Sequence, residues 1–70
     1  GHDRLIGSHA MVLKPVDAEA IGPGLIQVGG EQWRAISANG SLPVGTLVEV
    51  TEIRGTRAIV RPLSKEESDT

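Results

Sequence analysis

Cysteine, phenylalanine and tyrosine are absent from the 70-residue chain, and tryptophan and methionine occur once each. Without thiols, no disulfide can staple the fold and no thiolate cluster can hold zinc. Neither His2 nor His9 has a companion ligand at useful spacing, so no metal and no cofactor is expected. Long apolar runs are missing too. None approaches the ~20 residues that cross a bilayer as a helix, and no signal peptide is recognisable, so the fragment reads as soluble. Charge is not concentrated in one sign: seven basic residues stand against nine acidic ones for a net charge of −2. The bases are scattered singly, leaving no stripe to displace counterions from phosphates, and nucleic acid is not expected as a partner. Serines occur without a Gly-x-Ser-x-Gly elbow or a credible base and orienting acid. No catalytic residue, no small-molecule substrate and no enzymatic activity is expected.

What is present is β-sheet vocabulary. Five short runs rich in Val, Ile and Leu are separated by glycine or proline, and none sustains a helical period over ten or more residues. The first, roughly residues 8–14, is closed by Pro15, which cannot donate to a ladder. A polar excursion from Asp17 to Ala20 has room for one helical turn before Gly22-Pro23-Gly24 stops it. "LIQV" (25–28) and "EQWRAIS" (31–37) flank Gly29-Gly30, a two-residue hairpin signal in which both glycines can take positive φ. Asn39-Gly40 and "LPVG" (42–45) read as turns. "TLVEVTEIR" (46–54) places Val48 and Val50 on one face but Leu47 and Ile53 on the other, which calls for a bulge. Gly55-Thr56 then turns the chain into "RAIVRPL" (57–63).

Seventy residues make one domain, with a core too small to be generously stable. Five strands of this length bury their apolar faces by curling into a small closed barrel, which also removes exposed edges. The fold class is therefore all-β, a small five-stranded OB-fold-type barrel, with an SH3-like barrel as the other candidate. A long bent fourth strand, paired through hairpins on both sides, favours the first. Residues 1–4 read as a cleaved-tag remnant and linker, residues 5–63 as the barrel, and 64–70 as a disordered polar tail.

A family pattern runs through these elements: Gly7 with Ala10; Gly30 with Trp33, Ala35 and Ser37; Pro43 and Gly45; Val48 and Val50; Gly55; Val60 with Pro62. In this order and spacing, across residues 5–63, the chain resembles the C-terminal soluble domain of NfeD-like membrane proteins. The resemblance implies a five-stranded OB-fold carried after membrane-spanning helices and, in longer members, after a serine protease domain. It also implies a protein-interaction role beside stomatin- or flotillin-like partners, or in regulating an associated membrane protease. The parent would be anchored in the cell membrane with this domain facing the cytoplasm. No partner-contacting residue is defined by the resemblance.

The residues therefore have to be weighed one by one. Trp33 shares a face with Ala35 and Ser37, small neighbours that leave room for an indole, so it is expected to plug the barrel rather than to stack a base. Gly30, Ala35, Gly45, Val48, Val50, Gly55 and Val60 join it as structural positions. Arg54, Arg57 and Arg61 form the densest basic group, with Arg54 and Arg57 beside each other across the Gly55-Thr56 turn and Glu49 and Glu52 near enough to offset them. It reads as an acidic-partner or phosphate contact or, more plainly, as a solvated hairpin whose charge guards against edge pairing. Met11, Leu13 and Ile36 fall on the wrong face for burial and form a candidate apolar patch. With Arg54 and Arg57 they are the candidate partner contacts. The alternative function is a nucleic-acid-binding OB or SH3-like barrel, in which Trp33 would stack a base.

Overall fold

A computed structural model describes residues 2–18, 24–38 and 40–63. The expected polar tail, Asn39 and the Glu19–Pro23 part of the excursion lie outside the described residues. A single 3-10 turn over His2–Leu5 is followed by β1 (His9–Lys14), β2 (Leu25–Val28), β3 (Glu31–Ser37), β4 (Leu47–Arg54) and β5 (Arg57–Pro62). The turn occupies residues read from sequence as linker. All five strands fall where alternation and turn residues place them.

The strands close in the order β1-β2-β3-β5-β4. Hairpins build β2–β3 and β4–β5, whereas β3 pairs in parallel with β5, Arg34 opposite Arg57 and Ile36 opposite Ile59. Closure comes from β1 against β4, with Met11 opposite Leu47. The bent fourth strand thus has a hairpin partner on one side only. Its other neighbour is β1, far away in the chain, because a barrel closes by joining the first strand to a late one. This connectivity is that of the OB-fold. The expected bulge is present: Val50 faces Val60 but Glu52 faces Ile59, so Thr51 is the extra residue. It rotates the strand so that Ile53 turns back toward the core. A second irregularity, at Leu13, bends β1.

Valine dominates the interior. The largest fully enclosed side chains are Ile26, Val12, Val16, Val48, Val50 and Val60. These are β-branched residues that suit a pleated strand and fill a narrow cylinder. Val16 and Leu42 exchange backbone hydrogen bonds of 2.9 and 2.7 Å and bury both side chains, closing one barrel end. At the opposite end Leu5, Trp33 and Ile53 pack on the core while staying partly exposed. Trp33 is therefore not swallowed. The inside is already filled by Ile26 and the valines, and the indole stoppers the mouth.

Glycine is required at two positions around β2. Of the pair at the β2–β3 turn only Gly29 has positive φ (59°), so the demand for glycine rests on it, and Gly30 has free space where a Cβ would stand. Gly24 is different. A Cβ there would lie 2.5 Å from the Ala35 carbonyl oxygen, in the place where the backbone enters β2 against β3.

Candidate functional site

The candidate contact residues do not form one patch. Met11 on β1 sits opposite Leu47 on β4, and the two are 45% and 46% exposed. Leu13 lies three positions further toward the barrel end than Ala10 and is half-buried at the β1 irregularity. Ile36 stands on β3, separated from β1 by β2, and pairs with Ile59 of β5. The expected grouping of Met11, Leu13 and Ile36 is thus divided, because alternation reports which face a residue occupies and not which strands are neighbours.

The charged residues are arranged with similar regularity. Arg54 and Arg57 are opposite each other as the turn requires, and Gly55 holds a φ of 63° between them. The Arg54 guanidinium bonds Glu52 at 3.0 and 3.4 Å, and Arg61 bonds Glu49, its cross-strand partner, at 2.6 Å. Glu52 and Glu49 offset Arg54 and Arg61 as expected, whereas neither is paired with Arg57. The hydrogen bond from Arg54 to Glu52, and then the charge of that carboxylate, raise the Arg54 pKa above its ordinary value. The guanidinium is exposed and stays charged at every accessible pH, so the shift has no functional consequence.

Trp33 donates its indole N–H to Glu31 Oε1 at 3.0 Å. Its ring packs on the core while staying partly exposed, and its polar edge reaches a carboxylate. Of the other structural positions, Ala35, Val48, Val50 and Val60 are buried, and Gly45 takes a φ of 91° in the turn before β4. Ser41 Oγ donates to Asp17 across the closed end of the barrel, so that carboxylate is occupied in holding a loop. Among the described residues no group of His, Asp and Glu is arranged to hold a metal. The same residues contain no helix long and apolar enough to cross a membrane. A shallow open depression lies beside the 3-10 turn, lined by Arg4, Leu5, Ser8, His9, Val28 and Glu31.

Comparison with known proteins shows the family. The model of the NfeD-like C-terminal, partner-binding domain matches residues 2–62. The chain belongs to that family. Two solved structures agree with the NfeD-like assignment. The C-terminal domain of stomatin operon partner protein 1510-C from Pyrococcus horikoshii is 33% identical, with a TM-score of 0.81 over 93% of this chain and 97% of the other. The second is the soluble domain of a membrane protein implicated in regulation of membrane protease activity, from Corynebacterium glutamicum. It is 34% identical, with a TM-score of 0.76 over 86% and 94% of the two chains. No curated protein matches the chain. The resemblance drawn from Gly30, Trp33, Pro43, Val48, Val50 and Gly55 is therefore correct, as is the closed β-barrel.

Leu47, Ile59 and Arg34, which the structure sets beside Met11, Ile36 and Arg57, were not among the residues singled out from sequence as contacts. Leu47 was legible as an outward residue on its strand. Arg34 and Ile59 acquire their neighbours only through the parallel β3–β5 pairing.

Proposed function

We propose that this NfeD-like domain is a noncatalytic docking module of a membrane-anchored parent. It holds a stomatin- or flotillin-like protein on the cytoplasmic side and in that way influences an associated membrane protease. The observation that carries the reading is the Met11–Leu47 pair, two large apolar side chains directly opposite on the outer face and each nearly half exposed. Covering such a pair removes apolar surface from water at about 25 cal/mol per Å2. A family defined as partner-binding supports the same conclusion. So does the name of the archaeal relative as a stomatin operon partner. An apolar contact of this kind gives weak association that tolerates salt, since screening acts on charges.

The test is capture of a stomatin-like protein from detergent-solubilised membranes on immobilised domain, using the parent chain and Met11→Ser with Leu47→Ser. Capture by the parent and its loss in the double variant is the expected result. Equal capture by both would remove the β1–β4 face from the site, and no capture by the parent would remove the docking function itself. A titration with labelled single-stranded oligonucleotide at low salt is expected to show no binding. The only aromatic ring is committed to the barrel mouth, whereas strand-binding barrels stack bases on exposed aromatics.

A further inference from the structure

Three arginines line up across adjacent strands. Arg34 of β3 faces Arg57 of β5, and Arg57 faces Arg54 of β4. Neighbouring strands lie about 4.8 Å apart, so three positive side chains start from one row on the outer face. Arg54 has Glu52. Among the described residues no ion pair or side-chain hydrogen bond is made by the guanidinium of Arg34 or Arg57. Like charges directly opposite each other in a sheet weaken it, and a chain with nine acidic residues has the means to neutralise the pair, as Glu49 neutralises Arg61. Within the row, Arg34 and Arg57 thus face each other as like charges with no carboxylate between them, and only Arg54 is paired. Directly beside it the paired Ile36 and Ile59, both half-buried, offer an aliphatic strip.

We infer that the outer face of β3, β5 and β4 binds an acidic segment of a partner protein, with carboxylates over Arg34 and Arg57 and an aliphatic side chain over Ile36 and Ile59. The inference rests on the docking reading and adds to it a second, charge-selective contact. An arginine fork donates two parallel hydrogen bonds to one carboxylate. Two other anionic surfaces fit less well. A nucleic acid strand would find no aromatic on this face, and an anionic bilayer would meet a chain whose net charge is −2.

The probe is a fluorescein-labelled synthetic peptide of repeated Glu-Leu-Glu-Ala, titrated into isotope-labelled domain at low salt. Phosphatidylserine vesicles and a single-stranded oligonucleotide serve as parallel arms. Expected are peptide-dependent shifts of the amide signals of Arg34, Ile36, Arg57 and Ile59, with affinity lost at least about tenfold in Arg34→Gln with Arg57→Gln and weakened by added salt. Because both variants remove repulsion, the double variant should melt at or above the temperature of the parent chain, so lost binding is not lost folding. Shifts confined to the Met11–Leu47 face, equal peptide affinity in the double variant, or binding to vesicles or oligonucleotide alone would each overturn the inference. Capture of the stomatin-like protein separates the two proposals. If the arginine variant captures it as well as the parent, the acidic-segment contact is refuted and docking through β1–β4 stands. If the parent chain captures nothing, the docking function is refuted, while the peptide titration still decides the arginine row.

Discussion

Replacing Gly24 by alanine is the sharpest way to test whether the strands pack as described. The added Cβ would stand 2.5 Å from the carbonyl oxygen of Ala35 and 3.4 Å from the Cα of Val16. Neither obstacle is the movable end of a side chain. Ordinary contact needs close to 3.4 Å, so β2 and β3 must separate by the best part of an ångström at this point. Ala35 cannot retreat freely, because it is buried and its strand is bonded to β5 on the far side. Its own N–H donates to the Gly24 carbonyl at 3.1 Å, and that bond is stretched by the same movement.

Overpacking a close-packed site costs about 1–3 kcal/mol and a weakened buried hydrogen bond about 1 kcal/mol. The reduced freedom of the unfolded chain returns roughly 0.4–1 kcal/mol. The net loss is about 2 kcal/mol, which for a domain of this size lowers the melting temperature by roughly 10–15 °C. Circular dichroism melts and urea titrations of parent and variant read it directly, with an unchanged denaturant slope as the sign that only stability moved. A Gly24→Ala domain that melts within about 2 °C of the parent would show that β2 does not approach β3 this closely and that the close contact beside Val16 is wrong.

Other perturbations separate further elements of the fold. Gly29→Ala forces a Cβ into positive φ and should cost about 1–2 kcal/mol, while Gly30→Ala, with open space and no such φ, should be neutral or slightly stabilising. Equal effects in a pair of urea titrations would contradict the turn geometry. Trp33 fluorescence should be quenched by iodide to an extent between those of free and fully enclosed indole, and Trp33→Ala should lose about 2 kcal/mol, less than an enclosed aromatic would. Val60→Ala, which empties part of the fully buried interior, should cost about 2 kcal/mol and bring a lower urea midpoint. Glu49→Gln breaks an exposed ion pair and should change stability by less than about 1 kcal/mol.

Several features of this domain are determined by neighbours in the chain and so could be read from sequence alone. Alternation of Val48 and Val50, and of Ala58 and Val60, marks inward faces because a strand has period two. Glycine pairs and proline set the strand ends, and the switch of face between Val50 and Ile53 required a bulge wherever the strand was to be paired. The family pattern is a sum of such local demands, and for that reason it was recognisable before any contact was known.

What the tertiary structure alone decided is which strands are neighbours. Pairing β3 with β5 in parallel and β1 with β4 joins residues that no local rule relates. It separates Ile36 from Met11, sets Leu47 beside Met11, and brings Arg34 next to Arg57. The role of Gly24 is of the same origin, since a glycine that permits close approach looks in sequence like one that ends a loop. Trp33 illustrates the limit of pattern reading: its face was legible, but whether an indole fits inside depends on how much of the cylinder Ile26 and the valines already occupy. Strand and turn are properties of a few adjacent residues, whereas barrel closure and interior volume belong to the whole chain.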